Sequence, residues 1–167
     1  VTPGFVDSHT HPVFYNGREN EYIQRLSGVS YQEIAENGGG IQSSIEGVRN
    51  ASLEDLTIMV NRRMDNFLKF GTTTIEAKSG YGLSTESELK SLEVLRNVSL
   101  KHEIDIVPTF MGAHTFPSEY SEDHESYVDL ICNEMIPAVA EQGIAKFCDV
   151  FCEEGYFDLK QSKRILN

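Results

Sequence analysis

The sequence predicts an α/β protein, built as the first four β/α units of a (β/α)8 barrel. Short runs of β-branched and apolar residues alternate with longer segments of helical periodicity, and this order favours parallel strands joined by helices. Polar residues follow each strand run, and barrels place their sites at the carboxyl ends of the strands. A small doubly wound sheet uses the same edge, so it remains the alternative.

The first strand is predicted near residues 3–9, where apolar, β-prone residues precede a pair of histidines. After a long connection, a helix is predicted over Leu53–Phe70. Ser52 is its expected N-cap with Asp55 three residues on, and Gly71 occupies the position where helices commonly end. These signals delimit the first β/α unit.

The remaining elements repeat the alternation of strand and helix. They are predicted at Thr72–Ala77 (strand), Thr85–Lys101 (helix), Ile104–Phe110 (strand), Glu125–Gln142 (helix), Phe147–Phe151 (strand) and from about Asp158 onward (helix). Pro137 is expected to kink or divide the helix that contains it, because proline lacks the backbone N–H that a helix interior needs.

Composition limits the classes of partner. The chain has 167 residues and a formal net charge of −12, which disfavours nucleic acid and anionic membranes as partners. No apolar run reaches the roughly 20 residues of a membrane span. Cys132, Cys148 and Cys152 lie in apolar runs, which predicts buried free thiols and a reducing, cytoplasmic compartment. Since the chain starts at Val1 within a strand and stops at Asn167 within a helix, we expect a portion of a longer protein.

The most informative local feature is the pair His9-x-His11 at the end of the first strand. Side chains two residues apart on a strand share a face, with Cα atoms roughly 6.6 Å apart, so two imidazoles can converge on one metal ion. A metal held there could activate water for hydrolysis. Two solvated loop histidines are the simpler interpretation, but the apolar strand before the pair and Pro12 after it favour the metal site.

The segment from residue 12 to residue 51 is long for a connection between a strand and a helix, and such loops usually serve function. A short helix is expected near Tyr31–Glu36. Gly38, Gly39 and Gly40 follow it, and they predict a flexible lid or a tight turn. A phosphate-binding loop is disfavoured because the Lys-Ser/Thr of that motif is absent.

Several motifs together resemble a known family. GFVDSHTHP, at the first strand, is similar to the metal-binding motif of the amidohydrolase superfamily. Taken in order, VFYNGREN, EAKSGYGL, PTFMGAH and FCDVFCEEG resemble the imidazolonepropionase family within that superfamily. The first motif alone indicates only the superfamily, whereas the four later ones are specific, and together they cover nearly the whole chain.

The resemblance implies a function and a set of site residues. Members of the family add water to 4-imidazolone-5-propanoate and open its ring to N-formimidoyl-L-glutamate, a step of histidine degradation. His9 and His11 match the first two ligands of one divalent metal ion, zinc or iron. Arg18, Tyr81 and His114 match substrate contacts, and His114 is also the candidate catalytic residue. The implied partners are a small molecule that carries a carboxylate and, as a candidate assembly, a second copy in a homodimer.

Each substrate-binding residue also has a simpler interpretation. A guanidinium can grip a carboxylate with two parallel hydrogen bonds, yet Arg18 could equally pair with a neighbouring glutamate on the surface. Tyr81 lies between glycines, where ordinary loop packing is common. His114 could polarise the ring carbonyl, stabilise the developing oxyanion or serve as a third metal ligand, and the resemblance favours the substrate contact.

The resemblance also marks what is missing. In the family the remaining metal ligands, a histidine and an aspartate, and the catalytic glutamate follow later strands, so we expect residues 1–167 to form a partial catalytic domain that is inactive alone. Lys78 resembles the modified lysine of two-metal relatives, but it follows the second strand rather than a later one, which favours a one-metal site. Two alternatives remain open: another cyclic amidohydrolase or heterocycle aminohydrolase of the superfamily, or a non-catalytic β/α module.

Overall fold

The computed structural model describes residues 1–30, 33, 34 and 37–167. The elements in this part of the chain are β1 (Phe5–Thr10), α1 (Glu19–Leu26), α2 (Ile41–Asn50), α3 (Leu53–Lys69), β2 (Thr72–Lys78), α4 (Thr85–Ser99), β3 (Asp105–Ala113), α5 (His124–Leu130), α6 (Ile136–Gln142), β4 (Phe147–Val150) and α7 (Leu159–Leu166). A short 3-10 turn spans Ser118–Tyr120. The helix expected near Tyr31–Glu36 falls mainly outside the described residues.

The described strands form one sheet in the order β1-β2-β3-β4, and every neighbouring pair is parallel. The α/β prediction is therefore confirmed. The strand order also follows the chain order, as it does around a barrel, whereas a doubly wound sheet reverses direction at a switch point. The four strands are consistent with half of a barrel.

Helix α3 shows how local sequence sets an element boundary. The Ser52 side chain accepts a hydrogen bond from the backbone N–H of Asp55, as predicted for the N-cap. Gly71 follows the helix with φ of 87°, the left-handed conformation that favours glycine. Apolar side chains at helical spacing are fully buried on the face toward the sheet: Leu56, Val60 and Met64.

Pro137 divides the predicted long helix, as expected. Helix α5 ends at Leu130, a wider π-type turn covers Ile131–Met135, and α6 begins at Ile136 with the proline in its first turn. The first turn of a helix tolerates proline, because the N–H groups there have no partner within the helix. The helix therefore restarts where its sequence permits.

The strands differ from prediction at their ends. Strand β3 runs three residues beyond the expected end at Phe110, so that His114 directly follows it. The expectation of buried thiols is wrong: Cys148 and Cys152 are exposed, and Cys132 is partly buried. Cys148 lies on β4, which pairs only with β3 in this sheet, and sequence cannot reveal which side of a strand lacks a neighbour.

Candidate active site

The histidine pair lies at the carboxyl end of β1, as the sequence predicts. His9 is the fifth residue of the strand and His11 follows its last residue. The two Nε2 atoms converge to 3.3 Å. The carboxylate of Asp7 accepts a hydrogen bond from the backbone N–H of His9, so it supports the strand end rather than an imidazole ring.

This separation fits two ligands of one metal ion. Nitrogens bound tetrahedrally at about 2.0–2.1 Å lie about 3.3–3.4 Å apart, which is the edge length of such a tetrahedron. Two imidazole nitrogens in contact also need a proton or a cation between them, since two lone pairs repel. Within the described residues, no group of three or more His, Cys, Asp or Glu side chains is arranged to hold a metal ion. The described residues therefore provide a pair of candidate ligands rather than a complete metal site.

The electrostatics of His11 suit a ligand. Burial lowers the pKa of its imidazole to about 4, with further contributions from His114, His9 and Lys78. The ring is therefore neutral near pH 7, and metal ions bind the neutral imidazole. Its Nδ1 is buried and has no hydrogen-bond partner among the described residues.

His114 lies directly against His11. The two rings stack with centroids 4.7 Å apart and an interplanar angle of 20°. Nδ1 of His114 donates a hydrogen bond of 2.8 Å to the carbonyl oxygen of Gly80, which fixes the tautomer and leaves Nε2 as the acceptor. Burial lowers the pKa of His114, so this ring too is neutral near pH 7.

Tyr81 completes an aromatic cluster with these histidines. Its ring centroid lies 5.6 Å from that of His11 and 5.2 Å from that of His114. The loops after β1, β2 and β3 thus deliver one ring each to the same place. This convergence is expected for parallel strands whose carboxyl ends meet at one edge.

Arg18 is paired with Glu21, and it also lines the same cavity as His11. Its Nη2 and Nε atoms lie 2.6 Å and 2.8 Å from one carboxylate oxygen of Glu21, and the arginine side chain is 34% exposed. A cavity of about 140 Å³ lies beside it, lined by His11, Phe14, Asn16, Arg18, Ser44 and Tyr81. The simpler interpretation, an ion pair, is therefore present, and it does not remove Arg18 from the site.

Sequence reasoning missed an ion-pair cluster on the open inner side of the sheet. The ammonium of Lys78 lies 2.8 Å from Glu76 and 2.7 Å from Asp149. Although burial opposes the charge, hydrogen bonds with Asp149 and Glu76 hold the pKa of Lys78 above its usual value, so the amine is protonated. The signal in the sequence was weak, because Asp149 and Lys78 are separated by 71 positions and belong to different strands.

The comparisons with known proteins support the resemblance seen in the motifs. The chain is 54% identical over 166 residues to an imidazolonepropionase of Alkaliphilus metalliredigens, and 51% identical over 164 residues to one of Thermoanaerobacter pseudethanolicus. It is 48% identical over 166 residues to one of Shewanella sediminis. These alignments cover 98–99% of this chain, which confirms the resemblance to imidazolonepropionases.

The chain spans about two fifths of the length of these relatives, between 39% and 41%. No protein-family model matches it. Within the described residues, none of the helices has the length and apolar character needed to cross a bilayer.

Proposed function

We propose that this chain is the first half of the catalytic barrel of an imidazolonepropionase, and that residues 1–167 form one side of its active site. The whole enzyme would hydrolyse the ring C–N amide bond of 4-imidazolone-5-propanoate to give N-formimidoyl-L-glutamate in histidine degradation. The observation that carries the proposal is the convergence of His11, Tyr81 and Arg18 on one cavity, with His9 and His114 in contact with His11. The identity to imidazolonepropionases supports it over the whole chain.

The substrate's two ends would meet different residues. The propanoate tail would bind the guanidinium of Arg18. Arg18 would then either release Glu21 or hold both carboxylates at once. The ring would lie against Tyr81 and His114. Because Nδ1 of His114 donates to Gly80, only its Nε2 can face the ring, and there the neutral imidazole can accept a proton.

One divalent ion, zinc or iron, would be held by His9 and His11 through their Nε2 atoms. When bound, such an ion supplies Lewis acidity that makes water a nucleophile near neutral pH. The two histidines hold only part of its coordination sphere, since catalytic zinc commonly has three protein ligands. The remaining ligands and the general base would come from other parts of the full protein, so we expect the 167-residue chain alone to be inactive.

The cellular setting follows from the same assignment. We expect a cytoplasmic enzyme that acts on a small molecule, without nucleic-acid or membrane partners, because the net charge of −12 repels both kinds of polyanionic surface. A homodimer is the expected assembly. A cyclic amidohydrolase for a different heterocycle and a non-catalytic β/α module are the alternatives that experiment must exclude.

The test is the loss of 4-imidazolone-5-propanoate absorbance with the full-length protein, first loaded with zinc or iron and then treated with a chelator. Turnover that the chelator abolishes and added metal restores would support the assignment. A folded, metal-replete protein without turnover would contradict it and leave a metal-dependent hydrolase of another substrate. Absence of metal binding would instead favour the non-catalytic module.

A further inference from the structure

The loop Ser79–Leu83, which carries Tyr81, is held from inside by a buried carboxylate. Glu88 is fully buried, and it accepts hydrogen bonds from the backbone N–H groups of three loop residues. The bonds come from Gly80 at 3.0 Å, Gly82 at 2.9 Å and Leu83 at 2.9 Å. One acidic side chain thus fixes the backbone on both sides of Tyr81.

The hydrogen bonds that Glu88 accepts offset the cost of burying its carboxylate. An isolated buried carboxylate is costly, and burial raises the pKa of Glu88, while hydrogen bonds from Ser79 and the three amides oppose that rise. Glu88 also lies in the first turns of α4, where the helix dipole favours a negative charge. The hydrogen-bond partners that the described residues give Glu88 all belong to the loop: the Ser79 side chain and the amides of Gly80, Gly82 and Leu83.

Arg49, on α2, holds the same loop through its carbonyl oxygens. Its guanidinium donates to the carbonyl oxygens of Gly82 at 2.7 Å and Leu83 at 3.0 Å, and it pairs with Glu119 at 2.7 Å. Leu83 is the one non-glycine residue with positive φ among the described residues, at 52°. That conformation costs energy for leucine, so the surrounding bonds must impose it.

Gly80 transmits this restraint to the site. Its N–H is held by Glu88, and its carbonyl oxygen accepts the hydrogen bond from Nδ1 of His114. At φ of 101°, an added Cβ would lie 2.9 Å from the carbonyl oxygen of Met111, so the close approach of the loop to β3 requires glycine. A chain of hydrogen bonds thus runs from Glu88 through Gly80 to the His114 ring.

We propose that Glu88 is a positioning residue for the hydrolysis: through the amides of Gly80, Gly82 and Leu83 it holds Tyr81 and His114 in register with the metal-site histidines. This inference rests on the proposed function. Glu88 itself is buried beneath the loop and would not touch substrate. Arg49 is its counterpart, bound to the carbonyl oxygens of the loop.

The experiment uses the full-length protein with Glu88→Gln, which keeps the shape but replaces one acceptor oxygen with an N–H₂ group that opposes the loop's amides. Glu86→Gln, on the exposed side of the same helix, is the matched control. We expect Glu88→Gln to lower kcat/KM by about 10- to 100-fold, since small misplacements of site groups have effects of that order. Metal content per chain should stay at the wild-type value, and Glu86→Gln should match wild type.

Two further measurements separate positioning from mere stability. In a Tyr81→Phe background, the fall in kcat/KM caused by Glu88→Gln should be smaller than in wild type by about the 2- to 10-fold factor of Tyr81→Phe itself, because that part of the positioned contact is already gone. Amide hydrogen exchange over residues 79–83 should accelerate in Glu88→Gln and not in Glu86→Gln. The proposal is overturned if the losses in kcat/KM from Glu88→Gln and Tyr81→Phe simply multiply in the double variant, or if Glu88→Gln alone leaves kcat/KM unchanged.

If Glu88→Gln does not fold, Arg49→Lys takes its place, because it keeps the charge but loses the two-pronged grip on Gly82 and Leu83. Arg49→Lys and Tyr81→Phe together should then lower kcat/KM by less than the product of their separate factors. A combined loss equal to that product would refute the proposal that the loop is held in place for Tyr81. Wild-type protein that binds metal but leaves 4-imidazolone-5-propanoate intact would refute the proposed function instead. The exchange data would then still show whether Glu88 fixes the loop.

Discussion

Arg18→Met in the full-length protein tests the substrate assignment most directly. The substitution removes the guanidinium but keeps an unbranched side chain of similar reach at the wall of the 140 Å³ cavity. Only a substrate with an anionic group should require the charge. If the protein were instead a related amidohydrolase that acts on a neutral heterocycle, Arg18→Met would hardly change its turnover.

The magnitude follows from the geometry. Hydrogen bonds between a guanidinium and a carboxylate contribute about 1.5–3 kcal/mol each. Arg18 is 34% exposed and already paired with Glu21, and both facts reduce the gain on binding. We therefore count one full hydrogen bond rather than two. Arg18→Met should then lose about 1.5–3 kcal/mol of substrate-binding free energy, which corresponds to a fall of about 10- to 150-fold in kcat/KM.

The assay is steady-state consumption of 4-imidazolone-5-propanoate by wild type, Arg18→Met and the control Arg25→Met. Arg25 is exposed at the end of α1, the helix that Arg18 precedes. The tail binds equally in the ground state and the transition state, so KM should rise more than kcat falls. Equal KM values for wild type and Arg18→Met would refute a carboxylate-binding role.

Four other substitutions in the full-length protein have expected outcomes. His9→Ala should abolish stoichiometric metal binding, measured as metal per chain after dialysis, and a retained ion would contradict the metal site. Tyr81→Phe should lower kcat/KM about 2- to 10-fold, the value of one hydrogen bond of about 0.5–1.5 kcal/mol, and no change would favour simple loop packing. Ser52→Ala should destabilise by about 1 kcal/mol in denaturant unfolding through loss of the N-cap, with an unchanged midpoint as the contrary result. Burial alone would raise the pKa of Asp149, but the Lys78 ammonium holds it below its usual value. This pair therefore stabilises the protein above the unfolded pKa of Asp149, and the benefit is lost as pH falls through the folded pKa. Lys78→Met should show the opposite trend, with a melting temperature that rises as pH falls below neutral, because Asp149 without its cation takes up a proton.

The parts of the fold that sequence predicted well depend on local signals. The N-cap at Ser52, the helix end at Gly71 and the division at Pro137 are each set by the chemistry of one or two residues. The histidine pair could be found because two ligands on one strand have fixed spacing. Its placement at the end of β1 is confirmed, while its role as a metal site stays a prediction.

The parts that sequence missed depend on contacts between distant segments. The exposure of Cys148 depends on β4 having one neighbour in this sheet, which no local pattern encodes. The ion pair between Lys78 and Asp149 joins two strands that are not adjacent in the sheet. Glu88 appeared as one more acidic residue of an amphipathic helix, and only the folded loop shows that its carboxylate is fully buried beneath backbone amides.

Strand register explains why one part of the site is fixed more firmly than the other. Strands β2 and β3 pair without interruption from Thr74 opposite Asp105 to Lys78 opposite Thr109, and the hydrogen bond from the Ser79 N–H to the Thr109 carbonyl oxygen continues that ladder into the loop. A slip by one residue would shift the loop by about 3.3 Å and turn every side chain to the other face, so this register specifies the contact between Gly80 and His114. Arg18 instead reaches the cavity from the long segment after β1, which hydrogen bonds from Arg63 to the carbonyl oxygens of Pro12 and Phe14 hold near its start. The part of the candidate site around Gly80 and His114 is thus set by the sheet itself, and the part around Arg18 by a connection that can change without disturbing the sheet.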